Sequence, residues 1–264
     1  MLFMSNPVLN DRVLNNWAPP VSDGPISAWP APPTSRMTVG GSVSATAVLL
    51  VLLLASATVG WLMTGSPDVA ADGTIAYGVP GAAMVGVIVG FGLAILLMFK
   101  PHLARILAPI YALAEGIFVG AISRMFETFY DGIVIQAAGA TVAVVAAMLV
   151  LYATGIVRVT DRFRRIVMAA TMGVMVFYGI SFIISLFGGS VSFLSSSSGL
   201  SIGFSLVVAG LAAFNLALDF DFIEKGAAQG LPKHFEWFAG FGILVTVVWL
   251  YLEILRLLAK MRER

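Results

Sequence analysis

Seven long apolar runs, almost free of charge, set what this chain can become. They lie at roughly 44–64, 77–99, 104–123, 132–153, 164–187, 201–224 and 236–258. Each is near the ~20 residues that a helix needs to cross the ~30 Å hydrocarbon core of a bilayer. Lipid offers no partner to backbone N–H and C=O groups, so a spanning segment must be a helix or part of a closed barrel. Runs this continuous lack the apolar–polar alternation of a barrel strand. The composition agrees: 59% of residues are hydrophobic and 11% charged, where soluble domains carry about 25% charged residues. The expected fold is therefore an all-α membrane protein, a seven-transmembrane helix bundle over 41–264. Residues 1–40 precede it, with Pro7, Pro19, Pro20, Pro25, Pro30, Pro32 and Pro33. They read as a disordered cytoplasmic tail, since proline breaks helices and little apolar surface is available to bury.

Lys and Arg in the connections set the orientation. Arg12, Arg36, Lys100, Arg105, Arg158, Arg162, Arg164, Arg165, Lys225 and Lys233 fall on one side, and Arg124 alone on the other. That places the amino terminus in the cytoplasm, and the expected location is the plasma (inner) membrane. Arg256, Lys260, Arg262 and Arg264 disagree: they end up outside if the last helix crosses completely. Either the rule is overridden there or the helix stops short.

Whole classes of chemistry drop out. With no cysteine, disulfides, thiolate metal sites and cysteine nucleophiles are excluded. His102 and His234 lie outside the apolar runs, so no histidine cluster forms within the membrane. A net charge of +1 without a basic run gives no surface for nucleic acid. No phosphate loop and no H-E-x-x-H are present. The expectation is no enzyme and no resident cofactor.

The informative residues are acids inside the apolar runs: Glu115, Asp219 and Glu253, with Asp221 close behind, in segments such as LALDFDFIEK and VVWLYLEILRLLAK. An ionisable group in a membrane span costs ~2.5–3.5 kcal/mol or more and is a functional-site hypothesis by default. Asn215 stands one turn before Asp219 on the same face. Thr246 and Trp249 stand on the same side as Glu253. Two carboxyls brought together in such a medium share a proton. Singly protonated, the pair ties its helices by a strong hydrogen bond. Fully ionised, it repels itself and offers oxygen ligands to a hard cation such as Ca²⁺. That is a pH sensor and a gate on a cation path.

Which acids pair is left open by spacing. Asp219 and Glu253 are 34 positions apart. If the hairpin turns near Gly230, they lie ~15 Å and ~30 Å from it, at ~1.5 Å per residue. Glu115, ~15 Å into its own run, is the alternative partner of Asp219, and Asp221 a further candidate. Arg105 and Arg124 are the candidate counter-ions. The Gly116–Gly120 spacing suits close helix packing.

The segments LALDFDFI and WLYLEILRLLAKM, with SNPVLN and YALAEGIFVGAISRMFE, resemble the Bax inhibitor-1 family, in an actinobacterial branch. The resemblance implies a bundle with the last helix at its centre. It implies a pH-sensitive Ca²⁺ leak whose paired acids on the last two helices, here Asp219 and Glu253, act as sensor. Glu253 stands where the family usually has Asp. Some relatives instead modulate a membrane protease, so the second expectation is a non-transporting regulator with a membrane-protein partner. Membrane lipid is the surroundings in either case.

Overall fold

Where each helix starts and turns follows from local chemistry. Thr38 and Thr160 are extended N-caps whose hydroxyls accept from the Gly41 and Phe163 N–H groups, supplying partners that the first helical turn lacks. Gly230, with φ 66°, takes the left-handed conformation that closes the last hairpin near the expected place. The computed structural model describes residues 36–65, 68–69, 75–76, 81–187 and 196–263. Among them are the helices α1 Val39–Met63, α2 Gly81–Phe99, α3 Ala104–Phe129, α4 Ile133–Ala153, α5 Asp161–Leu186, α6 Gly199–Ala228 and α7 Phe235–Arg262. Two-residue strands, β1 Asp68–Val69 and β2 Ile75–Ala76, pair antiparallel between α1 and α2. The fold is all-α, with one helix for each apolar run. Most of the expected tail, residues 1–35, lies outside the described residues.

By contacts the chain divides into two compact units. The first takes in the described part of Pro7–Met125 with Asp221–Leu244. Here the small residues of α1 and α3 interlock. A Cβ on Gly116 would overlap Ser56 and the Leu53 carbonyl, and one on Gly120 would overlap the Ala57 carbonyl. Both registers increase together, so α1 and α3 run parallel. Along α2 the order reverses: Gly86 meets Ala114, and Gly90 meets Tyr111 and Glu115. α2 therefore returns the chain between two parallel helices. It is shorter than the six helices that are long and apolar enough to span, yet its 19 residues reach ~28 Å, enough to cross.

The start of α7 packs beside α1 in the same unit, with Gly240 against Ala45, Thr46 and Leu49. Phe235, Phe238 and Phe241 are fully buried there, and Tyr111 meets Phe241 edge-on at 4.8 Å. The entry to α1 is fastened to the α6–α7 turn. Arg36 and Pro232 form an isolated antiparallel bridge, and Met37 N donates to Leu231 O at 2.7 Å. Thr38 N and Oγ1 both donate to Glu236 Oε1, at 3.1 and 2.9 Å.

The second unit takes in Phe126–Phe220 and Val245–Arg264. Its core gathers Val167, Leu211 and Leu218, with Phe163, Val174 and Trp249 packed against them. Ring pairs Phe163–Phe214 and Phe177–Phe204 set α5 antiparallel to α6. The outward faces of α4 and α5 stay apolar and exposed, with Ile135, Val142, Leu149, Ile166, Ile180 and Phe182, as lipid-facing helices require. α7 is the most covered span: 78% of its most apolar stretch is buried, against 56% for α6 and 22% for α4 and α5. The last helix is thus the most buried of the spans.

Candidate functional site

Asp219 is completely buried in α6. Its Oδ2 accepts from Thr246 Oγ1 of α7 at 2.6 Å. One turn earlier Asn215 Nδ2 donates to Thr171 Oγ1 of α5 and to its own helix at Leu211 O, both at 2.9 Å. One polar face of α6 thus ties it to two neighbours. This follows from the sequence: polar groups within a span turn inward because the hydrocarbon has nothing to bond them.

Glu253, 1% exposed, lies two turns further along α7. Its Oε1 accepts from Tyr178 OH at 2.8 Å and from Arg256 Nη1 at 3.0 Å. Arg256 also donates to Tyr178 OH at 2.8 Å and sits over that ring, 5.0 Å from its centre. Glu253 Oε2 has no hydrogen-bond partner, so no proton bridges Glu253 and Asp219 in this structure. The reason is depth. Seven residues separate Thr246 from Glu253, which is ~10.5 Å along the axis. The unequal depths read from the hairpin spacing persist, because both helices are regular around Gly230.

The other candidates fall elsewhere. Glu115 belongs to the first unit, half-buried and hydrogen-bonded to Tyr111. A Cβ on Gly90 of α2 would come 3.1 Å from its Oε2. Asp221 pairs with Lys225 on its own helix at 2.8 Å. Arg105 is exposed at the start of α3, and Arg124 lies over the Trp61 ring at 5.2 Å. The counter-ion of Glu253 is instead Arg256. An acid–base spacing of three on one helix signalled it, but the arginine reads as part of the charged tail.

Lys260 was hidden in the same way. It is 4% exposed, and its Nζ donates to Ser201 Oγ and Ser205 Oγ of α6 at 2.8 and 2.9 Å. Thr246, Trp249, Glu253, Arg256 and Lys260 follow one another at spacings of three and four, a single stripe down α7. Chemically it offers an acid held by a hydroxyl at mid-helix, a neutralised acid two turns on, and a buried ammonium at the end.

The family described as Bax inhibitor 1 like matches residues 6–263, nearly the whole chain. The chain belongs to that family and is a multi-pass membrane protein. No curated protein and no solved structure matches it.

Proposed function

For this Bax inhibitor 1 like protein we propose a pH-sensitive cation leak, permeable to Ca²⁺, in which Asp219 is the titrating gate. The observation that carries the reading is the full burial of Asp219 with the Thr246 hydroxyl 2.6 Å away. That bond ties α6 to α7. Ionised, the carboxylate presents several lone-pair sites and is a ligand for a hard cation. Protonated, it loses that charge, and a passing cation loses its ligand. Glu253 is a second buried acid, two turns along α7 from Thr246 and bonded by Arg256 and Tyr178. We place the amino terminus in the cytoplasm and the protein in the inner membrane, in keeping with the lysines and arginines of the connections.

The test is Ca²⁺ flux into liposomes holding a fluorescent indicator, measured from pH 5 to 8. The expected flux rises with pH, and Asp219→Asn holds it low and flat. Thr246→Val removes this tie between α6 and α7 and shifts the midpoint. An unchanged flux and pH response in Asp219→Asn overturns the leak. A folded protein without flux favours the other role, a regulator of a membrane partner.

A further inference from the structure

The cation end of the α7 stripe is unusual in how its charge is held. A buried ammonium normally has a carboxylate beside it, because an isolated charge in an apolar medium is costly. Lys260 is nearly inaccessible, yet its hydrogen bonds go to two neutral hydroxyls. The acid within its helix, Glu253, is already taken by Arg256 at 3.0 Å and Tyr178 at 2.8 Å, and Glu263, just past the helix end, accepts from Tyr130 OH. Within α7 the stripe from Glu253 to Lys260 therefore holds two cations and one carboxylate, a net positive charge within a span. Ser201 and Ser205 belong to the first turns of α6, which runs antiparallel to α7. The ammonium thus bolts together the same two helices that hold Asp219 and Thr246, ~21 Å away along α7.

We propose that Lys260 is the charge-selective plug of the leak. Seated on Ser201 and Ser205, its ammonium closes the α6–α7 seam at the carboxy-terminal end and repels cations approaching from there. The inference rests on the leak reading, and it assigns Lys260 a role apart from the titration of Asp219. Repulsion of this kind is strong where water is scarce, and a fixed positive group in a pore wall turns cations away. Passage of a divalent ion then requires Lys260 to leave its serines.

The full-length protein in liposomes tests this, with Ca²⁺ flux and chloride flux measured side by side. Lys260→Met keeps the length of the side chain and removes its charge. Ca²⁺ flux is expected to rise severalfold while chloride flux does not. Lys260→Arg, which restores a cation, brings the flux back down. The double variant Ser201→Ala with Ser205→Ala keeps the ammonium and removes its seat, and is expected to raise Ca²⁺ flux less than Lys260→Met. A rise of equal size for both ions means loosened packing and overturns the plug, as does a Ca²⁺ flux that Lys260→Met leaves unchanged. If Asp219→Asn acts and Lys260→Met does not, the plug falls alone. If Asp219→Asn does nothing, the leak reading falls whatever Lys260→Met does.

Discussion

Single residues decide how this membrane protein meets changes in pH, and not all of them sit in the membrane. His234 lies in the turn before α7, half-buried. Burial first, and then the nearby charge of His102, push its imidazole below the ordinary range. The folded state thus prefers the neutral ring. Its contribution to stability is complete above the ordinary histidine value of ~6.5 and is lost as pH falls through that value towards the lowered one. Melting temperature in detergent is expected to drop between pH 7.5 and 5.5, and to drop less in His234→Gln. An equal drop in both proteins removes His234 from the account. The comparison also separates acid unfolding from the gating assigned to Asp219. The sequence marked Asp219 correctly as an interior group, because a carboxylate flanked by leucine and phenylalanine has nowhere else to go. It did not reveal Thr246 as its partner, since helix-to-helix register is a tertiary fact. Arg256 and Lys260 escaped notice because a count of charges near a helix end treats them as solvated.

Among the elements, α1 and α3 show why glycine counts alone say little. The chain has 27 glycines, so spacings of four arise by chance. Contact separates them: Gly120 abuts the backbone of Ala57, while Gly139 of α4 has nothing within 4 Å of an added Cβ. Gly120→Val is expected to destabilise by about 1–3 kcal/mol or more through overpacking. Gly139→Ala should be neutral or slightly stabilising, as alanine favours helices. Thermal unfolding in detergent compares the two, and equal effects would mean that the α1–α3 seam is not tight. The positions of all seven helices were legible from apolar length. The parallel course of α1 and α3 was not, because it depends on which small residues meet.

For the whole molecule, the open question in the sequence was the basic end of α7. The helix is 28 residues long, ~42 Å, which is long enough to cross completely. Its charges are spent internally: Arg256 on Glu253 and Tyr178, Lys260 on two serines, and Arg262 on Asp131 O and Gln136 Oε1 at 2.7 and 3.0 Å. The cytoplasmic amino terminus proposed above, which rests on the charges of the other connections, predicts that the end of α7 lies outside. The absence of cysteine makes the check direct. In intact cells an impermeant maleimide is expected to label Met261→Cys and to miss Lys233→Cys. The opposite pattern would invert the orientation.

The clasp between Thr38 and Glu236 joins residues 198 positions apart. Ribosomes add about 5–20 residues per second, so the first helix waits roughly ten to forty seconds after emerging before the acceptor for its leading N–H has been made. During synthesis its opening turn must lean on water or headgroups. A later-made segment thus seals the start of an earlier one.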